Sequence, residues 1–321
     1  MRRDARIYVA GHRGMVGSAI TRRLKADGYQ HLVLRDHSEL DLTNQAAVEA
    51  FFAAEKPEFV FLAAARVGQP DDNRDQPADF MHTNTLIGLN VIHASFVTGV
   101  RKLVHFADPC VFPPEAPRPV NETTLLTGAP DTGMEGYALA KIATIKYCQF
   151  CNDQYGTDFV TLVPAPLFGP GETFSLSDSD AVAGLIRRFH DARENQLPQV
   201  TLWGTGMPRQ EFLFVDDLAD AALFFMQRCH ARQVGSLINV GSGEDISYLD
   251  LAEMIKKVVG YRGRIVFENA RSDGADGWLA DVSRLQTLGW QPTTSLQEGL
   301  EKTYRWFLRH LERVRTGDET A

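Results

Sequence analysis

The sequence contains no apolar run near the length of a membrane span, no excess of basic charge, no internal repeat and no low-complexity tract. The missing span argues against a membrane role. Met1–Asp4 leads directly into a candidate strand, where a secretory leader would carry a long apolar core. A net charge of −8 argues against nonspecific nucleic-acid binding, so any phosphates must be met by local features. Cysteines are few. Cys110, Cys148, Cys151 and Cys229 show no disulfide framework, which points to a reduced, cytoplasmic compartment. Cys148 and Cys151 form a C-x-x-C inside the helical stretch "KYCQFCNDQYG", and inert packing at helical spacing is expected there, with no metal site.

What is present is an α/β pattern. Hydrophobic residues make up 44% of 321 positions, enough for a large α/β unit with an annex. Strand signals at "RIYVAG" (Arg6–Gly11), "HLVL" (His31–Leu34), "EFVFLAAA" (Glu58–Ala65), "KLVHFA" (from Lys102) and "DFVTLVP" (Asp158–Pro164) alternate with helical patterns. The helices are expected over Met15–Asp27, Asn44–Ala54 and Asp79–Thr98, and from near Glu135. Continuous apolar strands between helices predict a doubly wound parallel sheet covered on both faces, a Rossmann architecture. After about Pro166 the pattern loosens into strands at Gln199–Gly204, Ser236–Gly241 and Gly263–Glu268, with helices at Tyr248–Val259 and Leu296–His310. We expect a dinucleotide-binding domain over 1–165. Residues 166–315 should form a smaller substrate region, some of whose elements return to the first domain. The tail after Arg315 should be frayed.

"YVAGHRGMVGSAI" places Gly11, Gly14 and Gly17 between the first strand and the first helix, whose opening turn carries Met15 and Val16. Glycine permits the tight turn and close backbone approach that a pyrophosphate needs at a helix N-terminus. At the end of the second strand an acid would grip the 2′-hydroxyl of NAD, whereas a cation accommodates the 2′-phosphate of NADP. Arg35 stands there, with Arg13 in the glycine loop, so NADP(H) is expected; Asp36 follows at once. Tyr137 and Lys141 form a Y-x-x-x-K at the start of a helix, one turn apart on one face. An ammonium beside the phenol should lower its pKa and fit it for proton transfer.

These stretches, with "FLAAARVG", "PADF", "YALAKIATIK", "LIRRFHDA", "EFLFVDDLA", "INVGSG", "VVGYRGRIVF" and "LGW", resemble the extended short-chain dehydrogenase/reductases that act on nucleotide sugars, most of all the GDP-L-fucose synthase branch. The resemblance runs from about Arg6 to His310. It implies a small-molecule nucleotide-sugar substrate, NADP(H), and a homodimer formed by two long helices, Asp79–Thr98 and Glu135–Tyr155. It makes Tyr137 the proton donor to the sugar's C4 oxygen, Lys141 its partner and Cys110 the epimerisation cysteine. It places Leu42, Ala63, Ala64, Ala65, Pro164 and Leu167 beside the cofactor, and Arg187 and Trp203 beside the GDP moiety.

The departures cluster on the substrate side. Asp108 stands where the branch has a serine or threonine that donates to the C4 oxygen, and Asp180 where it has the histidine that partners the cysteine. No histidine occurs between His105 and His190. Pro166 replaces an asparagine. Gln210 replaces the arginine before "EF", with Arg209 one place earlier, and Gly277–Trp278 replaces a basic pair. Three readings of Asp108 stand: a carboxyl held protonated as a donor, a base in different chemistry, or the mark of a site without catalysis. The function expected is an NADP(H)-dependent reductase/epimerase of a nucleotide-linked keto sugar with changed substrate or chemistry. The alternatives are a silent NADP(H)-binding homologue and an enzyme acting on a non-GDP carbonyl compound.

Overall fold

A computed structural model describes residues 1–68, 70–174, 181–268 and 277–316. The first half runs β1 (Ile7–Ala10), α1 (Met15–Ala26), β2 (Leu32–Val33), α2 (Gln45–Glu55), β3 (Phe59–Leu62), α3 (Pro70–Asp75), α4 (Pro77–Val97), β4 (Lys102–Phe106), α5 (Glu135–Tyr155) and β5 (Phe159–Pro164). Next come β6 (Leu167–Phe168), α6 (Ala181–Glu194), β7 (Gln199–Trp203), β8 (Arg209–Glu211), β9 (Leu213–Phe214), α7 (Val215–Arg228) and α8 (Ala231–Val234). The chain closes with β10 (Leu237–Val240), β11 (Asp245–Ser247), α9 (Tyr248–Val259), β12 (Arg264–Glu268), α10 (Ser283–Thr287) and α11 (Leu296–Thr316).

Six strands form one parallel sheet in the order β10-β5-β4-β3-β1-β2. Side chains alternate across a strand, and here both faces are buried. Ile7, Val9, Phe59 and Phe61 enter one core with α1 and α7, while Tyr8, Ala10, Val60 and Leu62 enter another with α2, α4 and α5. The expected doubly wound fold is therefore present, and the later half returns β10 and α7 to it. A further core, built on Phe189, Leu202, Leu251, Ile255 and Phe307, joins α6, β7, α9 and α11.

Local sequence explains the long elements. Asn44 caps α2 by accepting from the Ala47 N–H, and Ser247 caps α9 by accepting from the Asp250 N–H. The C-x-x-C lies on α5 as expected, with both sulfurs buried as free thiols. The strand order reverses at β1, because β2 lies on one side and β3 on the other. A crevice at the carboxyl ends of β1 and β3 is where such sheets bind ligands.

Candidate active site

The glycine loop fills that crevice's floor. Gly11 has φ +81°, and a Cβ there would lie 2.7 Å from the Ala64 nitrogen; a Cβ on Gly17 would lie 2.1 Å from the Gly11 carbonyl oxygen. Only glycine lets the loop and α1 sit this close to β3. Beside it opens a 740 Å³ cleft whose lining includes Gly11, Arg13, Gly14, Arg35, Leu42, Ala63, Ala64 and Ala65. Met15, Val16, Pro164 and Leu167 do not line this cleft. Met15 and Val16 begin α1 and pack partly on the core, Pro164 pairs with Val240 in the sheet, and Leu167 pairs with Leu213.

Each of the three arginines lining the cleft, Arg13, Arg35 and Arg66, already has a carboxylate within 4.0 Å. Arg35 donates to Glu55 on α2 at 2.6 Å, with its guanidinium 5.9 Å above the Phe51 ring, and Arg13 lies 3.4 Å from Asp36. Asp36 is tied into its own turn by Ser38 and Glu39, bonds that hold its carboxyl below the usual range. A residue absent from the sequence reading also shapes the wall. Asn84, buried on α4, accepts from the Arg66 N–H and donates to the Arg66 carbonyl, which fixes the loop after β3. An asparagine one turn after Phe80 on the buried face of α4 was its signal in the sequence.

At the carboxyl end of β4 the reaction residues meet. Tyr137 and Cys110 pack together with Phe80 and Ala138, and Ala65 and Met134 close the group. Lys141 is buried one turn after Tyr137, its Nζ 5.6 Å from the Tyr137 ring centroid and 2.8 Å from the Phe106 carbonyl oxygen. Burial pushes Lys141 down to about 8, against the opposing pull of Asp108 and Cys110. The expectation of a lowered phenol pKa is corrected here. Burial, then the negative charge of Asp108, then Cys110 push Tyr137 well up, so the group is a phenol throughout the neutral range.

Asp108 caps the single turn Pro109–Val111, its Oδ1 accepting from the Cys110 N–H at 3.0 Å. In this bond the carboxyl acts as an acceptor, the opposite of the donor role its serine counterpart would play. Cys110 is held as a thiol, raised by burial first, then by Asp108 and by Asp131. Asp131 also went unread in the sequence. Its backbone N–H donates to the Cys110 carbonyl at 3.2 Å, a contact across twenty-one positions that no local pattern announces. Asp180 lies outside the described residues.

The substrate-side candidates fall on several elements. Arg187 pairs with Asp191 one turn along α6, and Trp203 ends β7, 39% exposed. Trp278 stacks on Phe112 with ring centroids 5.2 Å apart, and the Phe112 N–H donates to Pro109, which joins Trp278 to the Cys110 turn. Gln210 reaches Gly277, where a Cβ would lie 2.9 Å from its Oε1. Arg209 does not share the strand face of Gln210. Adjacent residues of β8 point to opposite faces, and Arg209 is drawn to Asp245 at 2.7 Å.

A family profile described as the NAD dependent epimerase/dehydratase family matches residues 7–241. GDP-L-fucose synthase 1 of Arabidopsis thaliana is 45% identical, over 96% of this chain and 95% of its own length. GDP-L-fucose synthase of Escherichia coli K12 is 45% identical over 97% and 98%. Among solved structures, the GDP-mannoheptose C4 reductase of Campylobacter jejuni, with NADP bound, superposes with a TM-score of 0.89 at 37% identity, covering 96% of this chain and 99% of that one.

Proposed function

The chain belongs to the NAD dependent epimerase/dehydratase family, and on that premise we propose that it is a GDP-L-fucose-synthase-like enzyme that reduces the C4 carbonyl of a GDP-linked keto sugar with NADPH. The observation that carries this is the buried pair Tyr137–Lys141 beside the crevice, a phenol that keeps its proton next to an ammonium poised near neutrality. A silent cofactor-binding homologue would have no use for such a pair.

The crevice fits a dinucleotide, since the Gly11 cradle leaves room for nothing larger than hydrogen and the cleft lining carries three guanidinium groups, those of Arg13, Arg35 and Arg66. Gly11, Gly14 and the N-terminus of α1 would hold the pyrophosphate, Arg13 and Arg35 the 2′-phosphate, and Ala63–Ala65 the wall. When bound, the cofactor supplies a hydride to C4. Tyr137 gives its Oη proton to the C4 oxygen as that oxygen becomes negative, which completes the alcohol. Lys141 offsets the tyrosinate left behind. Glu55 and Asp36 keep Arg35 and Arg13 in place until the phosphate competes for them.

The epimerase half is weaker in this reading. Removing a proton next to the C4 carbonyl needs a base, and Cys110, flanked by Asp108 and Asp131, keeps its own proton. Asp108 Oδ1 is taken up as the acceptor of the Cys110 N–H, which leaves only Oδ2 to face the C4 oxygen. We therefore place reduction ahead of epimerisation and assign the substrate side to Arg187, Trp203, Gln210 and Trp278. The division near residue 165 separates cofactor from substrate functions.

The assembly is a homodimer through α4 and α5. The two helices pack on each other and leave Met81, Val97, Leu139, Phe150 and Tyr155 exposed. The four free thiols suit a reducing cytoplasm, and no described helix is long and apolar enough to cross a membrane. The test is to supply GDP-4-keto-6-deoxymannose and follow NADPH. Oxidation of NADPH that needs the sugar is expected; none with any GDP-linked 4-keto sugar would overturn the assignment.

A further inference from the structure

Glu211 is a carboxylate with no exposure at all, on the strand that also carries Gln210. An ionised group so placed is costly unless its oxygens are fully bonded. Here Oε1 accepts from the Gly243 N–H at 2.7 Å and the Ser242 hydroxyl at 3.1 Å, and Oε2 accepts from the Ala280 N–H at 2.7 Å. Its own N–H donates to the Trp278 carbonyl at 2.9 Å. The turn after β10 is shaped to receive it, because a Cβ on Gly241 would lie 2.2 Å from Oε1. One side chain thus ties together three stretches far apart in sequence: β8, the Gly241–Gly243 turn and the Trp278–Ala280 segment. The last also bridges Val120 through Ala280, and Trp278 leans on Phe112 of the Cys110 loop.

We propose that Glu211 is the positioning residue of the substrate side, setting where Gln210 and Trp278 stand and hence the affinity for the nucleotide sugar, without touching either ligand. This rests on the reading above that Gln210 and Trp278 face the substrate. The cofactor crevice is built on β1 and β3 and owes nothing to these bonds.

Glu211→Gln keeps the shape but turns an NH₂ toward a backbone N–H, leaving one donor facing another. The KM for GDP-4-keto-6-deoxymannose should rise about tenfold or more, with a smaller fall in kcat, while the NADPH Kd stays at the wild-type value. Gly241→Ala attacks the same bonds from the other side, since its methyl would meet Oε1. It should raise KM alike, and the double variant should be no worse than the more affected single one. Hydrogen exchange gives a readout independent of substrate: the Gly243 and Ala280 amides should exchange faster in both variants while those of β1 and β3 keep their protection. A wild-type KM in both variants, or a loss of NADPH affinity in step with KM, would overturn the proposal. If wild type turns over no GDP-linked 4-keto sugar, the functional assignment fails instead, and unchanged exchange at Gly243 and Ala280 would still refute the role of Glu211.

Discussion

Tyr137 has one transferable proton, and its surroundings keep that proton in place until the C4 oxygen becomes negative. Tyr137→Phe should lower turnover by roughly 10²–10⁴-fold and leave NADPH binding unchanged in a fluorescence titration, because only the proton is removed. Lys141 adds a pH signature. Its ammonium form exists below its lowered pKa of about 8, so kcat should hold at neutral pH and fall as pH rises through that value. Stability runs the other way. Between about 8 and the ordinary 10.5 the unfolded chain binds more protons than the folded one, so this lysine's contribution rises with pH across that window. An alkaline limb in the rate profile without matching loss of melting temperature identifies Lys141 as the titrating group. At this scale the sequence was readable where chemistry follows spacing. The glycine triplet and Y-x-x-x-K gave their positions directly, whereas Asp131 and Glu211 act through contacts 21 and 69 residues away.

Arg35 shows how an element sets the behaviour of a residue. It leaves the end of β2, lies above Phe51 and is held by Glu55, so α2 fixes it at the cleft wall. Arg35→Ala should weaken NADPH binding by roughly tenfold to a hundredfold, the worth of charge-assisted bonds to a phosphate, and leave NADH affinity unchanged by calorimetry. Elements themselves divide by length in how plainly the sequence announces them. Helix α9 follows the bounds expected from its pattern, and β1, β3, β4 and β5 fall inside their apolar runs. The pairs β6–β9 and β8–β11 involve two or three residues each and exist because tertiary packing brings them together, so no periodicity marks them. The register of β8 carried the main surprise. A shift of one place in a strand changes the face, so Arg209 and Gln210 lie on opposite sides of β8.

For the whole molecule, the sheet and its flanking layers were legible because the central strands are buried on both faces and mostly apolar, and the substrate side was less so because its geometry depends on loops meeting across the fold. The proposed homodimer belongs to this scale. Phe150 is 55% exposed on α5, so Phe150→Glu should convert a dimer into a monomer by sedimentation at micromolar concentration, with the fold retained. The central claim, that this active site reduces C4 while Cys110 and Asp108 disfavour epimerisation, has a direct measurement. Incubate the protein with NADPH and GDP-4-keto-6-deoxymannose in deuterated water, follow NADPH oxidation, and count deuterium at C3 and C5 of the sugar product by mass spectrometry. The expected result is Tyr137-dependent oxidation of NADPH giving a product with little deuterium at either carbon, and more in Asp108→Ser. A wild-type product fully deuterated at both positions at the rate of NADPH loss, or no NADPH loss at all, would contradict it.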